Sequence, residues 1–588
     1  MFKLRFRRRV RHGQKHVEDL GVQAEATLER HFFRRLANLG RVWRFIAAWV
    51  GLILILAACL LAQMEGLSSH YQTSQPVAGG TFTEGLVGTF TNANPLYATS
   101  SVDTTVSRLL FAGLFTYDDH NKLVGSLASS WDVNDVGTVY TVHLKPNLTW
   151  QDGKPLTADD VVFTYKAIQN PDAQSALAAS WQGITAAKKN SYTVTFTLPN
   201  PLSSFPYNLT NGIIPAHVFA RMPVTDWRSA AFNSTEPIGA GPFKWSALQV
   251  QTSGLDSRQI LIALQPFDHY QGGKPKLTSF VVHTFNKEDE MLGSFRHHQL
   301  TAIGMQQPSD AILHDATVKQ HNFLVSGATM AFFNVTTPIL SDVQVRQALV
   351  QGVDTKAIIR ELGYTTRAVR EPLLVGQLGY DPKYAQTGFN PVAARALLDK
   401  AGWVLGSNGQ RTKAGKPLQL MFFANNTSES QKVGRSLAKY WGALGVKLDV
   451  RFQSAQDFQA TIDERNYDIA LDSIAIGADP DVFVYWDSTQ TDARSTHLNL
   501  SNYKSATADA ALEAGRTRLD PGLRVIKYRP FLQAWQQDAP ALGLYQPRYL
   551  YLTHQTIYGL NEHILNSSAD RLNNVQDWMI RTAKVTNP

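Results

Sequence analysis

The sequence predicts a mixed α/β protein of more than one lobe, preceded by a single N-terminal transmembrane helix. Three observations predict it. Strand-like and helix-like signals alternate along most of the chain. Its 588 residues exceed what one hydrophobic core normally serves. One unbroken apolar stretch, Phe45 to Ala62, is long enough to cross a bilayer. A composition 44% hydrophobic and only 18% charged excludes a disordered chain.

The N-terminal region comes first. Residues 1–44 hold twelve Lys or Arg against four acids, an excess that equals the whole chain's formal charge of +8, so everything after Arg44 is formally neutral. A nucleic-acid binder would carry its basic excess on the folded body, so that class is excluded here. The next Lys or Arg after Arg44 is Arg108. The positive-inside rule therefore predicts residues 1–44 in the cytoplasm, a membrane segment at 45–64 that meets the lipid bilayer through 45–62, and the rest of the chain on the extracytoplasmic face. Within the basic segment, Phe32, Phe33, Leu36 and Leu39 with Arg34, Arg35 and Arg41 suggest an amphipathic helix on the inner leaflet; the plainer reading is a topology signal and nothing more. The single cysteine, Cys59, excludes an intramolecular disulfide and a thiolate-ligated zinc cluster. It closes Leu56-Ala57-Ala58-Cys59, a match to the bacterial lipobox at 56–59. The anchor thus reads as an uncleaved signal-anchor helix or as a lipoprotein signal with lipidation at Cys59. Residues 65–78, polar and rich in Ser and Gln, read as a flexible tether.

Beyond Gly79 the element signals are local and clear. Tyr192, Val194, Phe196 and Leu198 alternate with threonines, as do Tyr140, Val142 and Leu144 with Thr141 and His143; both read as half-buried strands. Thr157-Ala158-Asp159-Asp160 resembles a capping box ahead of Val161, Tyr165 and Ile168 on one helix face. Asn390-Pro391, then Ala394, Leu397, Leu398 and Ala401, then Gly402, reads as cap, first-turn proline, apolar stripe and stop. Asp132 to Gly137 begins like a calcium loop but has His143 where the closing Glu is required, so it reads as a turn before a strand. His297-His298 is the densest histidine feature, yet adjacent residues on a helix diverge and do not face one metal. No phosphate loop, His-Glu-x-x-His or Gly-x-Ser-x-Gly occurs, so no enzyme, no catalytic residue, no metal site and no cofactor is expected.

Several motifs in order carry a resemblance. They are Gly79-Gly80-Thr81-Phe82, Asn94-Pro95-Leu96, Leu109-Leu110-Phe111-Ala112-Gly113-Leu114-Phe115, the long stretch Leu144 to Val161 with Trp150-Gln151-Asp152-Gly153 at its centre, Gly239-Ala240-Gly241-Pro242-Phe243, Val345-Arg346-Gln347-Ala348-Leu349 with Val353-Asp354, and Ala478-Asp479-Pro480-Asp481. Together they resemble the extracellular solute-binding proteins of ATP-binding-cassette (ABC) importers, in the dipeptide, oligopeptide and nickel-binding family (bacterial solute-binding protein family 5). As local chemistry the motifs read as scaffold: Asp152-Gly153 is a turn, Gly239 to Pro242 a tight corner, and Arg346 a helix residue placed to pair with Asp342 or Asp354.

The resemblance implies a two-lobed periplasmic-binding-protein-like fold with an extra subdomain in lobe 1. The lobes are joined by two crossing strands, expected near Val281 to Asn286 and near Leu542 to Tyr551. The expected layout is lobe 1 at 79–283, lobe 2 at 284–545 and a return to lobe 1 at 546–588. It further implies capture of a di- or oligopeptide by hinge closure and delivery to an ABC permease; a tethered ligand-sensing receptor, or a binder of a nickel complex or another small solute, are the alternatives. Relatives grip a peptide amine with a carboxylate, which makes Asp479 and Asp481 the candidates, with Tyr485 and Trp486 as apolar cover. The competing reading is that both acids cap the following helix. Ser473 to Gly477 supplies no acid where dipeptide binders carry one. Phe90, Asn94 and Trp181 are the lobe 1 candidates.

Overall fold

A computed structural model describes residues 43–252, 258–305, 315–492 and 497–586. The chain divides into two units, residues 1–76 with 582–588, and residues 77–581. The expected amphipathic helix around Phe32 to Arg41 lies outside the described residues.

In the first unit, Trp43–Tyr71 is one continuous helix of 29 residues, of which Trp43–Met64 are apolar enough to cross a membrane. Cys59 is exposed on it. The expected tether is different: the helix runs on to Tyr71, and Gln72–Val77 is a strand paired with Arg581–Thr586. A short Thr/Ser/Gln stretch pairs readily once a second strand is supplied, and here that strand is the far end of the chain.

The second unit is built on two large sheets. The larger has seven strands in the order Lys319–Leu324, Arg548–Thr553, Ala302–Met305, Thr81–Val87, Ser279–Phe285, Arg258–Pro266, Phe243–Thr252. Its main core contains Phe82, Phe280, Ile262 and Trp578, and a smaller apolar cluster covers the other face. A four-stranded antiparallel sheet in the order Ala128–Val133, Val139–Leu144, Thr193–Thr197, Thr185–Asn190 forms a subdomain beside it. Both strands read from Tyr140 and Tyr192 fall in this sheet, and the turn after Asp132 is its hairpin, closed by Asn134 Oδ1 accepting from Thr138 N and Val139 N at 2.9 Å each. The Thr157 capping box forms at the start of Ala158–Gln169, and Asn390 caps Pro391–Lys400.

The second lobe carries a five-stranded sheet in the order Lys447–Gln453, Gln419–Asn425, Ile469–Ala475, Gly327–Phe333, Ala541–Tyr545. All seven residues of Gly327–Phe333 are buried because both faces are covered: Ala331 and Phe333 enter one core, Ala328, Met330 and Phe332 the other. The strands that change sheets lie side by side. Leu324 ends a strand of the first sheet and Gly327 begins one of the second; Tyr545 ends a strand of the second and Arg548 begins one of the first.

The expected first crossing near Val281 to Asn286, and the lobe boundary at 283/284, are therefore displaced. After Ser279–Phe285 the helix Glu288–Arg296 folds back, burying Met291, Leu292 and Phe295 against the same sheet. Ala302–Met305 then pairs parallel to Thr81–Val87, on the side opposite Ser279–Phe285. The chain leaves lobe 1 at Val325-Ser326 and returns at Gln546-Pro547.

Three separated motifs meet at one side chain. Gln151 Nε2 donates to Leu110 O (3.1 Å), Gly241 O (3.3 Å) and Phe243 O (2.6 Å), while its Oε1 accepts from Gly239 N at 3.0 Å. The backbones approach so closely that a Cβ on Gly239 would lie 1.9 Å from Leu110 O. Arg346 pairs with neither Asp342 nor Asp354: it donates to Asp538 O (2.8 Å) and Leu340 O (2.7 Å), while those acids cap helix starts at Gln344 N and Ala357 N.

Gly239→Ala is expected to destabilise the protein by about 1–3 kcal/mol through this overpacking. Gly293→Ala, on a helix with open space at the Cβ position, is expected to be neutral or slightly stabilising. Urea unfolding of both variants checks the contrast.

Candidate functional site

The two lobes touch at a polar latch. The loop after Thr193–Thr197 in lobe 1 reaches lobe 2 at Ser203 and Ser204. Ser203 donates to Arg516 O from both its amide and its hydroxyl at 2.9 Å, and Ser204 Oγ donates to Asp481 Oδ2 at 3.1 Å. Arg516 completes the contact, with Nη2 at 3.1 Å from Asp481 Oδ2 and its guanidinium 4.2 Å above the Phe483 ring.

Behind the latch, Asp479 is gripped by Arg524 in a bidentate pair, Nη1 to Oδ2 at 2.8 Å and Nη2 to Oδ1 at 2.7 Å, with both side chains 7% exposed. Arg524 stands in the first turn of Pro521–Asp538, which Asp520 caps by accepting from Leu523 N. Burial alone would lower the Arg524 pKa; the hydrogen bonds and charge of Asp479 outweigh burial and raise it. Burial raises the Asp481 carboxyl, against the opposing pull of Arg516, and Asp479 adds to the rise.

Lobe 1 faces this pair with tyrosines. Tyr117 and Tyr207 stack with ring centres 6.3 Å apart, and Tyr140 donates to Leu202 O at 2.8 Å. Burial raises all three hydroxyls, Tyr140 to about 12, and the charge of Asp479 reaches each of them. Asp479 and Asp481 are thus each paired with an arginine.

Of the residues expected at the site, Asp479, Asp481 and Tyr485 lie close together in lobe 2. Asp479 carries two donors from Arg524, and Asp481 is engaged by Arg516 and Ser204. The capping alternative is met only weakly, by Asp481 accepting from Phe483 N at 3.4 Å. Tyr485 donates to Ala475 O at 2.6 Å. Trp486 lies fully in the core between Phe332 and Trp535. Phe90 packs on Trp245, Asn94 donates to Asn233 Oδ1 at 3.1 Å, and Trp181 is buried against Tyr165. Sequence reading missed Ser204, Arg516, Arg524, Tyr117 and Tyr207. Among the described residues no group of three His, Cys, Asp or Glu side chains gathers as a metal site.

One further acid stands out in lobe 2. Glu371 is fully buried, neither carboxylate oxygen has a hydrogen-bond partner at normal geometry, and burial raises its carboxyl to about 8.

Comparison with known proteins agrees with this architecture. The family described as bacterial extracellular solute-binding proteins, family 5 Middle, matches residues 122–495. The oligopeptide-binding protein AppA of Bacillus subtilis is 24% identical over 547 residues, covering 90% of this chain and 97% of that protein. Its solved structure, in complex with a nonapeptide, superposes with a TM-score of 0.67 at 23% identity, covering 86% of this chain and 100% of that one. NikZ from Campylobacter jejuni, in complex with Ni(L-His), superposes with a TM-score of 0.70 at 23% identity, covering 85% and 99%.

Arg524→Leu leaves Asp479 buried without its cation and is expected to cost about 3–5 kcal/mol, whereas the double change Asp479→Leu with Arg524→Met recovers most of it; denaturant unfolding of single and double variants reads this directly. Glu371 holds its proton in the folded chain to about pH 8 but in the unfolded chain only to about 4.5. The stability it contributes is thus complete below about pH 4.5 and is lost as pH rises through about 8. Glu371→Gln is expected to flatten that decline, by roughly 2–4 kcal/mol at pH 8.5, in thermal or denaturant unfolding followed from pH 5 to 8.5.

Proposed function

The chain belongs to the bacterial extracellular solute-binding proteins, family 5, and from that premise we propose that it captures a di- or oligopeptide between its two lobes and delivers it to an ABC permease. The observation that carries this reading is the connection between the lobes. Among the described residues two chain crossings join them, Val325-Ser326 and Gln546-Pro547, and Val325 N donates to Pro547 O at 2.9 Å. Two adjacent, hydrogen-bonded crossings act as a hinge rather than a rigid interface. A solute that touches both walls stabilises the closed arrangement over the open one by the difference of its contacts in the two states. The latch of Ser203 and Ser204 on Asp481 and Arg516 is then the contact that closure makes and opening breaks.

The protein performs no chemistry on the solute. In this reading it stays at the outer face of the membrane. The apolar Trp43–Met64 helix anchors it, and the basic residues 1–44 hold the N-terminus in the cytoplasm. Lipidation at Cys59 would anchor the same face by another route. Peptide is favoured over a metal complex because the most similar curated relatives include the oligopeptide-binding AppA and several proteins named as peptide-binding.

Native mass spectrometry of the full chain, purified in detergent, tests the reading. Co-purifying peptides are expected. A bound nickel complex or sugar in their place would overturn the substrate assignment, and intact mass of the same sample separates an uncleaved anchor from a chain lipidated at Cys59.

A further inference from the structure

Arg548 is the first residue after the crossing Gln546-Pro547. Its backbone sits in the lobe 1 strand Arg548–Thr553, opposite Leu324, and its Nη1 donates to Asn322 Oδ1 on the neighbouring strand at 2.8 Å. The side chain nevertheless reaches lobe 2, where the guanidinium lies 3.6 Å from the ring centre of Tyr364. Arg548 is 7% exposed, and its Nε is buried with no hydrogen-bond partner. Burial works against its charge, while Tyr364 and Glu429 oppose that effect.

Tyr364 is held just as firmly by lobe 2. Gly363, at φ 79°, ends the helix Thr355–Leu362 in left-handed backbone, and the chain turns there. Tyr364 then packs on a lobe 2 core and donates its hydroxyl to Glu429 Oε2 at 2.7 Å. Tyr545, the last residue of the strand Ala541–Tyr545, donates to Glu429 Oε1 at 2.8 Å. Glu429 itself stands in the first turn of Ser428–Gly442, which Thr427 caps. From Tyr364 the chain runs on beside the crossing: Gln546 N donates to Arg367 O at 2.9 Å, and Thr366 Oγ1 donates to Gln546 O at 2.5 Å.

The stack thus joins a side chain fixed to lobe 1 with one fixed to lobe 2, and the Gln546-Pro547 crossing lies between their anchors. Turning one lobe against the other about that crossing changes the distance and tilt between guanidinium and ring. Cation–π attraction acts within about 6 Å of the ring centre. Contact at 3.6 Å therefore belongs to a narrow range of hinge angle, and it occurs in the arrangement in which Ser204 and Arg516 engage Asp481.

We propose that the Arg548–Tyr364 stack is a hinge stop, which favours the closed arrangement of the lobes and so sets the affinity for solute from the hinge. The proposal rests on the clamp reading above and adds two positioning residues that act on the equilibrium through the lobes. A solute that binds the closed arrangement alone has its apparent affinity scaled by the closed fraction. Weakening the stack then lowers the affinity for every solute by one factor.

The Ser203 amide reports on the latch, because it donates across the lobes to Arg516 O at 2.9 Å. Hydrogen exchange of the full chain in detergent, read by mass spectrometry on the fragment holding Ser203, follows the fraction in which the latch is broken. Arg548→Gln and Tyr364→Leu are each expected to speed that exchange about tenfold, and the double variant no further. Arg548→Lys and Tyr364→Phe, which keep a cation and a ring, are expected to restore part of the protection. Exchange in the strands Ser279–Phe285 and Gly327–Phe333, one from each lobe, is expected to stay at the wild-type rate. Unchanged or slower exchange at Ser203, or faster exchange spread over both strands, would overturn the hinge stop. Calorimetry with a fixed set of tetrapeptides gives a second readout: those that bind wild type are expected to lose affinity for Arg548→Gln by one common factor. A loss confined to some of the peptides would make these side chains solute contacts and sink the stop. If wild type bound none of the tetrapeptides, the peptide reading would fall, and exchange at Ser203 would decide the stop alone.

Discussion

The structure depends on a topological constraint: among the described residues the chain passes between its two sheets at two places, and those places are hydrogen-bonded neighbours. Val325 N donates to Pro547 O, and Ser326 O accepts from Ile476 N and Gly477 N just inside the second lobe. The proposed clamp rests on that adjacency. Each lobe has its own core, and in the proposed function two adjacent strips of backbone let one lobe turn against the other without unpairing either sheet. A third, distant crossing would have locked the lobes.

The arrangement also needs the C-terminal segment to return and stay. After Arg548–Thr553 re-enters the first sheet, Arg571 pairs with Glu84 on the strand Thr81–Val87, with both side chains fully buried. Tyr549 and Tyr551 lie against the same guanidinium, 5.4 and 5.7 Å from ring centre to cation. A buried ion pair of this kind contributes little net stability against an apolar pair of the same shape, but leaving either partner alone is costly. It ties the returning tail to the strand Thr81–Val87. The same tail also holds Asp570 against Arg108 of the helix Ser101–Leu110, at 2.7 Å.

The motifs that identify the family turn out to be architecture. Leu110, Gln151, Gly239, Gly241 and Phe243 come from three stretches far apart in the chain and meet at one amide side chain. Asp160 both closes the capping box at Thr157 and accepts from Ala216 N at 3.0 Å, tying a helix start to a distant loop. None of these residues needs to touch solute, which explains how they could mark the fold clearly while saying nothing about what is bound.

What the sequence determined by itself was whatever a dozen consecutive residues can encode: the apolar span after Arg44, the capped helices at Thr157 and Asn390, the alternating strands at Tyr140 and Tyr192, and the family. What only the tertiary structure decided was pairing across the chain. Asp479 reads as an unpaired carboxylate until Arg524, 45 residues on, is seen to hold it, and Arg108 carries no signal until Asp570, 462 residues away, is seen to pair with it. The first crossing was misplaced for the same reason. Whether a strand ending at Phe285 leaves its lobe depends on where Met291, Leu292 and Phe295 find a surface to bury against, and that surface is made by strands from both ends of the chain. Periodicity and capping act within a turn or two of backbone, whereas a charge or an apolar face is satisfied by whatever the completed fold brings to it.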